Sequence, residues 1–373
     1  MIETAPFAAG TAIHERPHSL HLVLSLAART SVIVVAYNSG ACLRACVASI
    51  FRTEPDVEIV VVDNASTDDA VARLAAEFPS VRTVQRRENG GFGAGNNTGA
   101  AAATGDFLAF INPDAVVTDG WLEALVGPLA TDASLGLVTP KVLLCADPGR
   151  INVAGLNVHL SGIATCRGLQ ASRSAFDQTE EVAAVSGSAF AVRREVFERV
   201  GGFDEDLFLY FEDVDLSARV WLAGYRCLYV PRAVVLHDYD RVRVDTRKAF
   251  RVEMGRYLML LKAFEWRTLL ALLPTLLLAE VVTGGWLLVS NPAGLLQKPA
   301  AWRWLLTHRA HIAAKRRQVR AYRAAPDSAF LAHCGWQMDF GQLASPMIAQ
   351  LAKIALTPLF YAGAWISLIG SRG

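Results

Sequence analysis

Four short apolar runs, each closed by a polar turn and linked by segments of helical spacing, constrain this chain more than any other feature. Ser31–Tyr37 reads SVIVVAY, Glu58–Val62 reads EIVVV, Val81–Val84 is a third run, and Phe107–Ile111 a fourth. The unbroken first and second runs suit strands buried on both faces, and the third, Val81-Arg82-Thr83-Val84, reads as a strand on its valines. After the first, Leu43, Cys46, Val47, Ile50 and Phe51 recur at helical spacing. After the second, Ser66-Thr67-Asp68 is placed to cap a helix carrying Val71, Leu74, Ala75 and Phe78. A Gly/Asn-rich stretch, Asn89 to Gly99, reads as a loop leading into a short Ala-rich helix. This alternation predicts an α/β fold with a doubly wound, mostly parallel sheet covered on both faces.

Beyond residue 130 the pattern loosens. Leu137–Thr139, Gly155–Leu160, Val182–Val192, Arg226–Val230 and Ala233–Leu236 read as strands, and Val192–Val200 and Asp213–Ala223 as helices. Residues 1–29 form a leader without a signal-peptide layout, residues 30–245 the α/β domain, and residues 246–373 a helical region.

The charge is divided along the chain. The net charge is +1, but residues 1–240 hold 18 Lys and Arg against 29 Asp and Glu, whereas residues 241–373 hold 18 against 6. The second part therefore calls for an anionic partner. Nucleic acid is a poor choice, because the first part is acidic. A hydrophobic share of 53% and a mean hydropathy of +0.29 point to a membrane surface instead. Six scattered cysteines without a CxxC pair suit a reducing compartment.

In an open α/β sheet, ligands bind outside the carboxyl ends of the strands. Four polar clusters stand at such ends: Tyr37-Asn38, Asp63-Asn64, Asn89 to Asn97 (with Gly91, Phe92 and Asn96), and Asn112-Pro113-Asp114. Together they suit a nucleotide. Asp63 can accept from the imide N–H of uracil or thymine, and the glycines after Asn89 allow close backbone approach to phosphate or ribose. A dinucleotide fingerprint is excluded by spacing. The glycines run Gly93-x-Gly95-x-x-x-Gly99, one residue too long, and they follow the third strand rather than the first. Asp114 is a candidate ligand for a divalent cation, Mg or Mn, which would offset the charge of a departing diphosphate. His237, after an apolar strand, is a candidate second ligand. Glu212, Asp213 and Asp215 place three carboxylates in four residues at the start of a helix. One of them can take the proton from an attacking hydroxyl. The helix N-terminus favours the charged form, whereas burial and like charge oppose it.

Taken together, VIVVAYN, VVDNASTD, NGGFGAGNNTG, INPD, SGSAFAVRR, GGFDEDLFLYFEDVDLSARVWLAGY and VLHD, over residues 31–240, resemble the inverting family-two glycosyltransferases of the GT-A fold, especially rhamnosyltransferase-like members. The resemblance implies a nucleoside-diphosphate sugar donor (dTDP or UDP), with rhamnose preferred over galactofuranose or another hexose, and single-displacement inversion onto a glycan or polyprenyl-linked hydroxyl. It makes Asp213 the base, with Glu212 in support, and Asp114 and His237 the metal-side residues. It puts Gly187, Ser188 and Asp215 on the acceptor side. Asn112 stands where the family's metal motif often has its first acid, and Ala184 where an aromatic residue is common. A nucleotide-sugar-binding membrane scaffold is the competing class, but a scaffold needs no base.

In the tail, Thr268–Val289 is about 22 residues long, enough to cross a hydrocarbon core at about 1.5 Å per residue. Glu280 and Pro274 within it leave two alternatives, a helix lying in the interface or a re-entrant hairpin. Trp302–Arg323 carries seven Lys and Arg and two tryptophans, a composition suited to an anionic leaflet on the cytoplasmic side. Pro346–Ile369 is a second apolar stretch.

Overall fold

The computed structural model describes residues 26–239 and 246–338, with Gln350, Thr357, Pro358 and Phe360 beyond them. Most of the expected leader and of the stretch Pro346–Ile369 lies outside the described residues.

The four apolar runs are strands: β1 (Thr30–Ala36), β2 (Glu58–Asp63), β3 (Arg82–Gln85) and β4 (Phe107–Ile111). They lie parallel in the spatial order β4-β1-β2-β3. Ala36 stands opposite Asp63, and Asp63 opposite Gln85, so their following loops open on one edge. Helices α1 (Gly40–Thr53), α2 (Ala70–Glu77) and α3 (Gly91–Ala102) connect them. β3 is the edge strand and its residues are mostly exposed, which explains its weak apolar signal.

Two local expectations change. The Gly/Asn-rich stretch is not a loop, because α3 begins at Gly91. A Cβ at Gly95 would stand 2.6 Å from Val35 Cγ1, and one at Gly99 would crowd Ile33 Cγ2. Glycine one turn apart lets α3 lie directly on β1, and that packing outweighs the poor helix propensity of the sequence. The expected cap of α2 is also mostly absent. Asp68 reaches Ala70 N at 3.4 Å, but the N-cap residue Asp69 makes no side-chain bond.

The second half completes a sheet of ten strands. Its elements in order are β5 (Ala115–Val117), α4 (Trp121–Thr131), β6 (Leu135–Leu144), β7 (Ile151–Val153), the separate hairpin β8 (Leu156–Val158) and β9 (Ala164–Cys166), β10 (Glu180–Glu181), β11 (Ala189–Arg193), α5 (Arg194–Arg199), α6 (Glu212–Leu222) and β12 (Arg226–His237). Val182–Val192 is therefore not one strand, since the turn Ser186-Gly187-Ser188 precedes β11. β11 runs antiparallel between β4 and β6, with Ala189 opposite Ile111. That direction delivers its leading turn to the carboxyl end of β4. β12 merges the two short strands expected around Pro231. Its register on β6 shifts between Val230 and Val234, where proline can donate no ladder bond.

Helices α7 (Thr246–Ala263), α8 (Trp266–Ser290), α9 (Pro292–Leu295), α10 (Gln297–Thr307), α11 (Arg309–Tyr322) and α12 (Ser328–Leu331) follow. Leu260, Leu269, Leu272, Leu276, Val319 and Phe330 join the same buried cluster as the sheet, so the helical region shares its core. Buried charge also ties them. Lys262 of α7 lies between Asp215 of α6, at 2.8 Å, and Asp204. Asp204 also pairs with Lys315 of α11, and Asp215 with Arg219 at 2.8 Å. Burial alone would raise the Asp204 carboxyl, but Lys262 and Lys315 hold it well below the usual carboxylate range. Replacing Lys262 by Met leaves two buried carboxylates short of a shared cation. Urea unfolding should show a loss of about 3 kcal/mol, the usual consequence of breaking a buried pair from one side.

Candidate active site

The expected loops meet on the carboxyl edge of β1, β2 and β4, although not every residue faces a ligand. Tyr37 is half-exposed there. Asn38, at φ +52°, accepts at Oδ1 from Thr67 N at 2.7 Å and donates its own N–H to Ser66 Oγ, so it stitches two loops together. Asp63 is buried and its Oδ1 accepts from Ser66 N at 2.8 Å. Asn64 and Asn96, expected at the donor, are buried and use their amides on the protein. Asn64 donates to Asn89 Oδ1 and Gly91 O, both at 3.0 Å, and Asn96 donates to Phe92 O at 3.0 Å. Asn89 Oδ1 also accepts from Gly91 N. These three asparagines shape the entry to α3.

That entry requires glycine. Gly91 has φ +82°, and a Cβ there would collide with the Phe208 carbonyl. Phe92 N donates to the same carbonyl at 2.6 Å. The Phe92 ring points toward Gly187, whose missing Cβ would lie 3.6 Å from Phe92 Cζ and 3.4 Å from Asp213 Oδ2. Phe92, Gly187 and Asp213 thus border one spot.

Asp213 is only partly covered, and two backbone amides aim it. Gly187 N donates to its Oδ2 at 2.9 Å and Val214 N to its Oδ1 at 2.8 Å. Burial raises its pKa, and these bonds oppose the rise. Glu212 beside it is buried, and its Oε2 has no hydrogen-bond partner. Burial, and then the Asp213 charge, push the Glu212 carboxyl up to about 8. Of the adjacent pair, Glu212 keeps the proton and Asp213 carries the charge. Asp215, expected on the acceptor side, is fully buried against Lys262 and Arg219, so its place is structural. Ser188 is buried too, with its hydroxyl 2.9 Å from that of Ser186.

The loop before this helix is strained. Phe208, Tyr210 and Phe211 all have positive φ, from 52° to 79°, which is costly for aromatic residues. Helix α7 holds them in place. Arg251 stacks 4.2 Å over Phe208, Lys248 4.7 Å over Tyr210, and Gly255 lets α7 approach Phe211.

At the other end of the cleft, His237 Nε2 lies 3.2 Å from Asp114 Oδ1. His237 Nδ1 is 2.9 Å from Asn152 Oδ1, and Asn112 Nδ2 is 3.4 Å from Nε2. With Nδ1–H donated to Asn152, Nε2 is an acceptor, met only by the long Asn112 amide contact, and beside it lies a carboxylate oxygen that has no hydrogen-bond donor. Two facing acceptors are the arrangement a cation relieves, so Asp114 and His237 fit a divalent ion. Among the described residues no third His, Cys, Asp or Glu joins them. A ligand's phosphate oxygens and water would complete the shell, as divalent cations accept. The two ends are joined: Asn112 N donates to Ser188 O at 3.0 Å, one residue from the Gly187 amide on Asp213.

Asn152, Lys248 and Arg251 were not foreseen. Asn152 sits in a three-residue strand with no motif around it, and the two cations come from the helical tail.

The Glu212 shift has a stability consequence. Below about pH 4.5, its ordinary value, the carboxyl is neutral in both folded and unfolded chain and burial costs nothing extra. As pH rises toward 8 only the folded state keeps the proton, so stability falls, and above 8 the full cost of a buried charge remains. Glu212→Gln should therefore raise the melting temperature at pH 8 by at least about 2 °C more than at pH 5, read by calorimetry.

Comparison with known proteins places this geometry. The glycosyl transferase family 2 model matches residues 31–201. An N-acetylglucosaminyl-diphospho-decaprenol L-rhamnosyltransferase of Mycobacterium tuberculosis is 31% identical over 233 residues, covering 55% of this chain and 75% of that protein. Residues 1–349 of S. aureus TarS, solved with UDP-GlcNAc, superpose with a TM-score of 0.54 at 16% identity, over 92% of this chain and 89% of that one. GalNAc-T7, solved with UDP, GalNAc and Mn2+, gives a TM-score of 0.51 at 20% identity, and this chain spans only 47% of its length. These solved structures share the GT-A fold of the sheet described above. The chain belongs to glycosyl transferase family 2.

Proposed function

We propose that this glycosyltransferase moves a sugar, rhamnose by preference, from a dTDP- or UDP-linked donor to a hydroxyl of a lipid-linked glycan at the cytoplasmic face of the membrane, with inversion. The observation that carries the reading is the Asp213 carboxylate, partly open and aimed by the Gly187 amide, joined through Ser188 and Asn112 to the Asp114–His237 pair. The decaprenyl-linked rhamnosyltransferase relative supports the choice of sugar and acceptor. A galactofuranosyl or other hexosyl donor is the second reading.

Tyr37 and Asp63 stand where the nucleoside base would lie, and Asp63 selects uracil or thymine by accepting its imide N–H. Asp114 and His237 would hold a divalent cation, which offsets the charge gathering on the departing diphosphate. Asp213 takes the proton of the acceptor hydroxyl as that oxygen bonds to the anomeric carbon from the face opposite the leaving group. The bond from the anomeric carbon to the diphosphate oxygen breaks, and the nucleoside diphosphate leaves with its electron pair. Glu212, neutral beside the base, keeps a second negative charge away from the acceptor oxygen.

Nucleoside-diphosphate release from dTDP-rhamnose, UDP-galactofuranose, UDP-glucose and UDP-N-acetylglucosamine tests this. Membranes carrying the chain should turn over one donor, and Asp213→Asn should lose at least about 100-fold in rate. Full activity in Asp213→Asn would remove the base from the mechanism. Chelator should stop turnover, with Mg or Mn restoring it. Asn152→Ala, which frees the His237 ring, should raise the metal concentration for half-maximal activity by roughly 10-fold.

A further inference from the structure

One helix among the described residues, Trp266–Ser290, is long and apolar enough to cross a membrane. Its packing points to a different arrangement. Leu269, Leu272, Leu276, Ala279 and Leu287 are buried against the protein, so α8 is fastened along most of its length. Glu280 at its middle pairs with Arg256 of α7, receives the Tyr257 hydroxyl at 2.7 Å, and meets Lys298 of α10 at 2.8 Å. Lys298 and Arg256 also hold Glu253, at 2.9 and 3.0 Å. A spanning helix must leave its domain for about 20 residues. This one is held by a buried four-charge cluster at the point where the bilayer centre would be.

The opposite face is open. Leu270, Leu273, Leu277, Val281 and Leu288 recur at intervals of three, four, four and seven, each between 46% and 72% exposed. That is one helical stripe. Trp266 begins it, and the outer side of the following helices adds Leu296, Trp302 and Leu306. Arg267, Arg303, Arg309 and Arg317 are exposed and have no ion pair among the described residues. No acid occurs between Glu280 and Asp327. A row of leucines with interfacial tryptophans and unpaired cations matches an anionic lipid surface.

We infer that α8 lies in the plane of an anionic leaflet, with its Leu270–Leu288 stripe in the acyl boundary and its Glu280 side on the enzyme. The inference deepens the membrane-face reading proposed above, and it places no part of α8 across the bilayer.

The test uses the purified full chain and vesicles of phosphatidylcholine with or without phosphatidylglycerol. Sedimentation should show binding at least about 10-fold tighter to the anionic vesicles, weakening with salt. Leu273→Glu/Leu277→Glu should lose on the order of 100-fold in binding, with an unchanged melting temperature and unchanged release of nucleoside diphosphate onto a water-soluble acceptor. Cysteines placed at Arg267 and Ser290, exposed at the two ends of α8 and outside the stripe, in a Cys42→Ser background, should both react from outside the vesicle with an impermeant maleimide. Three outcomes overturn the inference. The first is that one end reacts only after the vesicle is opened, which means a span. The second is that the double variant binds as well as the parent. The third is that the parent ignores vesicles, which gives the face to residues 339–373 or to a second copy, the latter read from the mass in solution. A parent chain that turns over donor without binding vesicles rejects this inference alone, whereas a parent that binds vesicles without turnover on any donor rejects the transferase reading alone.

Discussion

The ammonium of Lys262, buried between Asp204 and Asp215, is the interaction on which the working end of this enzyme depends. It joins the first helix of the tail to the helix that begins at Glu212. Three carboxylates in four residues look self-repelling when read as a string. The fold separates them. Glu212 is buried and neutral, Asp213 rests on two amides, and Asp215 is neutralised by Lys262 and Arg219. The helix N-terminus and burial compete at this place, and burial wins for both residues of the adjacent pair. Only Asp213 keeps enough protein hydrogen bonds to remain the charged member.

The strained loop before that helix depends on the same union. Phe208, Tyr210 and Phe211 hold left-handed backbone because Arg251, Lys248 and Gly255 of α7 pack over them. The strain sets the Phe208 carbonyl against the start of α3, where only glycine fits. A tail that looks like a membrane appendage in composition is therefore part of what positions Asp213, the carboxylate proposed as the base.

Much of the first half was legible in the sequence, because three of its four parallel strands are continuous apolar runs and periodicity reports them well. The same reasoning misjudged Asn89 to Gly99. Glycine and asparagine suggest a loop by propensity, yet Gly95 and Gly99 serve to bring α3 against Val35 and Ile33, a contact distant in sequence. Polar residues at strand ends usually face a ligand, which is why Asn64 and Asn96 read as donor-side, and the resemblance put Asp215 on the acceptor side; nothing local tells a buried polar group from an open one. Asn152 left no signal at all. Its partner, His237, is 85 residues away.

The antiparallel direction of β11 has a consequence for how such an enzyme can diversify. Ser188 touches Asn112, and the neighbouring Gly187 touches Asp213, so a three-residue turn acts as a gauge block between the Asp114–His237 end and Asp213. In the proposed mechanism its length sets how far the attacking oxygen stands from the departing one. A change there disturbs both ends together, so new acceptors are more readily admitted by reshaping parts outside the turn, such as the aromatic loop Phe208–Phe211, while the gauge itself is left untouched.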